Sequence, residues 1–144
     1  MIVISGFSEF EVSMFQQIAS ELEIDGSFRF FDVGERQDAA SIIDHCTGYS
    51  EKPPRVVVVN LDTPTKIWKS MIAEFSRHET WRVVPTLGFG LLEDRTHVED
   101  FYALGGASCV QKPRTPERFQ QIVSAGLMYW LDVASFPGDY GTIT

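Results

Sequence analysis

Four consecutive valines, Val56 to Val59, constrain the fold of this chain more than any other feature. β-branched residues favour extended backbone, and an unbroken apolar run has no polar face to give to water. Such a strand must be covered on both sides. That is the setting of a central strand in a parallel sheet with helices packed on each face. The run ends at Asn60, followed by Leu61, Asp62, Thr63 and Pro64, so a polar residue stands where the buried strand leaves the core.

The rest of the chain alternates in the same style. Residues 1–4 read as a first strand. Ser8 is placed to cap a helix that carries Phe10, Met14, Ile18 and Leu22 at helical spacing. Asp25-Gly26 marks a turn, and residues 28–33 read as an aromatic second strand near a sheet edge. A helix through Ala39, Ile42 and Ile43 ends before the loop containing Pro53 and Pro54. Residues 65–77 carry the stripe Ile67, Trp68, Met71, Ile72 and Phe75. A fourth strand is expected over 83–89, interrupted by Pro85 and Gly88. A helix over 94–104 is closed by Gly105, and a short fifth strand spans 107–111. Thr115-Pro116 opens a last helix that runs to about residue 134, with 135–144 a loose tail. This is an α/β pattern. It predicts a flavodoxin-like (βα)5 doubly wound sandwich with a parallel five-stranded sheet in the order 2-1-3-4-5. One domain is expected over 1–134, with 135–144 as a C-terminal tail.

Bulk properties exclude several functions. The chain has 144 residues, 12 basic and 20 acidic, for a net charge of −8. That balance disfavours direct nucleic-acid binding, which depends on neutralising phosphates. No apolar run approaches the roughly 20 residues that span a bilayer, and no secretory signal pattern opens the chain. Cys46 and Cys109 fit neither a disulfide framework nor a metal spacing, which makes the cytoplasm the expected compartment. His45, His78 and His97 are scattered away from the strand ends. No nucleophile, base and orienting group converge, so neither an enzyme nor a cofactor or metal is expected.

The spacing of Asn60-Leu-Asp-Thr-Pro64, Leu104-Gly105-Gly106 and Lys112-Pro113, with the order of elements, resembles the receiver domain of two-component response regulators (CheY-like). In an open α/β sheet the chemistry sits beyond the carboxyl ends of the strands, and the resemblance assigns those positions one by one. The family's metal-binding acidic pair falls on Ser5 and Gly6, which offer no carboxylate to a hard cation; Glu9 is the nearest acid. The phosphate-accepting aspartate falls on Asn60, whose amide cannot form an acyl phosphate. Asp62 is the one carboxylate close by in sequence. The phosphate-binding hydroxyl falls on Gly90, and the mobile switch aromatic on Cys109. Lys112 is retained. It is left to hydrogen-bond Asn60, to pair with Glu9 or Asp62, or to hold an anion. The peptide after this lysine is often cis in the family, and Pro113 lowers the cost of that form to about 0.5–1 kcal/mol.

The resemblance therefore implies a degenerate, stand-alone receiver (a pseudo-receiver) in two-component or phosphorelay-type signalling. It would act as a phosphorylation-independent interaction or dimerisation module. The expected partner is a signalling protein, a second copy, or both, reached through the last helix. Ala125, Met128, Tyr129 and Trp130 add apolar surface there, and aromatic residues are common interface anchors. The tail, with Phe136 and Tyr140, is the other element that would cover this surface. The alternative function is a flavodoxin-like protein that binds a small ligand or anion at the turn Ser5-Gly6-Phe7-Ser8.

Overall fold

The computed structural model describes residues 2–21, 30–32, 39–48, 53–63, 68–90 and 95–129. Leu22, Ile67 and residues 130–144, with Trp130 and the tail, lie outside them. In chain order the elements are β1 (Ile2–Ser5), α1 (Glu9–Glu21), β2 (Phe30–Asp32), α2 (Ala39–Thr47), β3 (Val56–Asn60), α3 (Trp68–Arg77), β4 (Thr86–Gly90), α4 (Arg95–Ala103), β5 (Ser108–Gln111) and α5 (Pro116–Met128). The strands form one sheet in the order β2-β1-β3-β4-β5, and every neighbouring pair is parallel.

The valine run explains the two layers. Successive strand side chains point to opposite faces. Val57 and Val59 enter one core with Ile42, Met71, Ile72 and Phe101, from α2, α3 and α4. Val56 and Val58 enter a second core with Phe15, Ile18, Phe119 and Val123, from α1 and α5. Val3 opposite Val57 and Val58 opposite Leu87 extend both cores across the sheet. Among the described residues no helix is long and apolar enough to cross a membrane.

Two expectations need correction. The buried face of α1 is set by Phe15 and Ile18, while Phe10 is 64% exposed. Phe7, in the turn before the helix, packs its ring edge-on against Phe15 at 4.9 Å between centroids. That contact turns positions 11, 15 and 18 inward, one helical face at the i, i+4, i+7 spacing. The fourth strand starts at Thr86, after a 3₁₀ turn over Trp81–Val83 that leaves Val83 47% exposed. Pro85 has no N–H to give a ladder, but its carbonyl still accepts from the Val57 N–H at 3.0 Å. At the end of α4, Gly105 takes φ +113°, and the Gly106 N–H returns to the Phe101 carbonyl at 2.9 Å. This is a glycine-terminated helix end of the kind read from the sequence.

Candidate functional site

The carboxyl ends of β1, β3, β4 and β5 bring Gly6, Asn60, Gly90 and Lys112 into one hydrogen-bonded cluster. Ser5 lies buried beside it, paired in register with Val59. Asn60 is the hub, because its amide offers both donors and acceptors at the end of a buried strand. Its Nδ2 donates to the Gly6 carbonyl at 2.9 Å. Its Oδ1 accepts from the Asp62 N–H at 3.1 Å and from Lys112 Nζ at 3.4 Å. The lysine is held from its backbone as well, with its N–H donating to the Gly90 carbonyl at 2.7 Å. The Lys112–Pro113 bond is trans, the form that proline still favours by about 0.5–1 kcal/mol.

The carboxylate that meets Lys112 is neither Glu9 nor Asp62. Lys112 Nζ pairs with Glu11 Oε2 at 2.8 Å. Glu11 also closes the start of α1. Its Oε1 accepts from the Ser8 N–H at 3.0 Å, while the Ser8 hydroxyl accepts from the Glu11 N–H at 3.2 Å. This reciprocal pair is a capping box. Burial pushes the Glu11 carboxyl upward, but hydrogen bonds from Lys112 and from the Ser8 N–H outweigh it. The Lys112 charge adds to them, and the carboxyl sits below its ordinary range. The ring of Phe7 lies 5.7 Å from Lys112 Nζ and completes the lysine's surroundings. A signal for Glu11 was present in the sequence, since Ser8 and Glu11 have the spacing of the capping box.

The other assigned positions are arranged as follows. Gly6 has φ +82°, and a Cβ built there would lie 2.8 Å from the Thr63 methyl and 3.5 Å from Asn60 Cβ. The loops after β1 and β3 therefore press together where the resemblance sets an acidic side chain. Gly90 is buried at the end of β4. Phe89 beside it is a core residue, within 6.3 Å of Phe7 and 6.1 Å of Phe119 between ring centroids. Cys109 is half-buried against the α2–α3–α4 core. Burial, then the Asp62 charge, push its thiol upward, so it stays protonated at neutral pH. On α5, Ala125 is exposed, as are Met128 at 41% and Tyr129 at 53%.

No protein-family model and no curated protein matches the chain. Solved structures do. The phosphorylated cyanobacterial phytochrome response regulator RcpA superposes with a TM-score of 0.79 at 16% identity, over 94% of this chain and 96% of that one. The chain has the receiver fold. The Mn²⁺-bound response regulator Rcp1 gives a TM-score of 0.74 at 18% identity, over 94% and 97% of the two chains. A response regulator from Hahella chejuensis gives 0.75 at 13% identity, over 92% and 96%.

The receiver fold raises the question of a divalent ion, because Rcp1 was solved with one. Hard cations take several charged oxygens. Here the strand ends present Ser5, Gly6 and Asn60, and the near carboxylate, Glu11, is committed to Lys112 and Ser8. Among the described residues no three His, Cys, Asp or Glu side chains converge. The described residues at the strand ends do not fit such a site.

Proposed function

We propose that this chain is a degenerate receiver of the response-regulator type. It works in two-component signal transduction as a phosphorylation-independent protein-interaction module without catalysis of its own. The observation that carries the reading is the Asn60 hub. An amide stands where an acyl phosphate needs a carboxylate nucleophile. That amide is engaged at both ends, by the Gly6 carbonyl and by Asp62 N–H and Lys112. With Lys112 neutralised by Glu11, the strand ends satisfy one another without an added anion. The module's output surface is then α5, where Ala125, Met128 and Tyr129 offer apolar area to a signalling partner or a second copy. The alternative of an anion site at the β1–α1 turn is disfavoured by Glu11, whose negative charge already takes the Ser8 N–H and Lys112.

The test is an amide NMR titration with magnesium and beryllofluoride, a mimic of the phosphoryl group. No saturable shift is expected at Asn60, Gly90 or Lys112. Saturable shifts that spread from these residues to Cys109 and α5 would replace this reading with a working anion switch. Asn60→Asp alone is expected to take no magnesium-dependent label from acetyl phosphate, because positions 5 and 6 still supply no metal ligand. Strong labelling of that variant would refute the assignment of Ser5 and Gly6.

A further inference from the structure

The ion pair of Lys112 with Glu11 is built unlike a surface pair. Its side chains are 17% and 19% exposed, against 39% and 42% for Lys69 and Asp100, the pair between α3 and α4. At 2.8 Å it joins the end of β5 to the first turn of α1. Taking two charges out of water is costly, and a capping box needs only one of the glutamate's oxygens. The second oxygen goes to Lys112.

Both donors to this carboxylate are held in place by other groups. The Lys112 backbone N–H is fixed on the Gly90 carbonyl at 2.7 Å. Its Nζ also rests 3.4 Å from Asn60 Oδ1 and 5.7 Å from the centre of the Phe7 ring. Ser8 is fixed at the start of α1, where its carbonyl accepts from the Val12 N–H at 2.8 Å and its hydroxyl from the Glu11 N–H at 3.2 Å. A cation and a backbone N–H from distant parts of the chain thus aim at one seat without help from the glutamate side chain. Charge-assisted bonds of this kind are how proteins hold oxyanions. The group in the seat is the chain's own carboxylate, which sits below its ordinary range and stays charged at neutral pH.

We propose that Lys112 and the Ser8 N–H form an oxyanion site and that Glu11 is its tethered occupant, an autoinhibitory contact that keeps external oxyanions off the strand ends. An external anion must compete with one on the same chain, whose effective concentration is set by the fold. It would also meet the Glu11 charge at close range. This inference rests on the reading that the strand ends satisfy one another without an added anion.

The test supplies the lost group from solution. Glu11→Ala removes a fragment equivalent to acetate and keeps the backbone N–H that Ser8 caps. Sodium acetate is titrated into the full chain of this variant at neutral pH and constant ionic strength, balanced with chloride. Saturable amide shifts are expected at Ser8, Asn60 and Lys112, with an affinity at least about tenfold above that of the wild type. The melting temperature should rise toward the wild-type value. Adding Lys112→Met to Glu11→Ala should abolish both effects. Absence of saturable shifts in Glu11→Ala overturns the proposal and leaves the function proposed above intact. Equal rescue with and without Lys112 does the same, because it marks a general salt effect. Acetate bound by the wild type at these residues as tightly as by the variant overturns both. If the alanine variant does not fold, Glu11→Gln titrated with inorganic phosphate decides the matter: shifts at Ser8 and Lys112 support the site, and their absence overturns it.

Discussion

Glu11 serves two elements with one carboxylate. One oxygen closes the first turn of α1 through the Ser8 N–H, and the other meets Lys112 beyond β5. Its pKa is depressed in the folded protein. A depressed carboxyl stabilises the fold above its unfolded pKa, and that contribution disappears as pH falls through the folded value. The wild type should therefore lose stability on acidification below the ordinary carboxylate range. Glu11→Gln should be less stable at neutral pH, by on the order of 1 kcal/mol, and flatter in that acid window. Urea unfolding of both proteins at neutral and acid pH checks this. An equal pH dependence in the two would remove Glu11 from the account. The residue was legible only in part. Ser8 was readable as a cap, but an inward glutamate falls outside a search for apolar stripes, so Glu9 and Asp62 stood as the acids for Lys112. Asn60 and Lys112 were readable because each ends a strand whose neighbours fix its place.

Among the elements, legibility followed how strongly packing agreed with local pattern. The stripe Trp68, Met71, Ile72 and Phe75 is buried along one side of α3, as its spacing implied. For α1 the pattern was ambiguous. Phe10 and Phe15 belong to different faces, and the choice between them was made by Phe7, a loop residue that helical periodicity does not cover. The start of β4 shifted because Pro85 cannot donate to a ladder. In α5 the start was explicit in the sequence. Thr115 accepts from the Arg118 N–H at 3.2 Å, with Pro116 at the first helical position. Thr115→Ala should cost about 1 kcal/mol of stability. Gly126→Ala, placed where no atom obstructs a methyl group, should add about 0.5–1 kcal/mol. Thermal and urea unfolding measure both. A destabilised Gly126→Ala would mean that the helix depends on glycine for a reason other than space.

For the molecule as a whole, β3 is the shared wall of both cores. The valine run announced this, because only a doubly covered strand tolerates it, and the α/β alternation followed from the turn and proline signals between elements. A strand common to two cores opens only when both open. The amides of Val57, Val58 and Val59 should therefore be among the slowest to exchange with solvent, at the free energy of global unfolding. Hydrogen exchange read by NMR tests this, and fast exchange at Val58 would show that the α1–α5 layer opens separately. At the carboxyl end of that strand, the crowding of position 6 by Thr63 limits what residue can stand there. Installing an acidic side chain at position 6 demands that the backbone leave φ +82° and that the Thr63 methyl move, both at once. The geometry thus opposes a side chain at position 6 twice over, and a single substitution there meets both obstacles together.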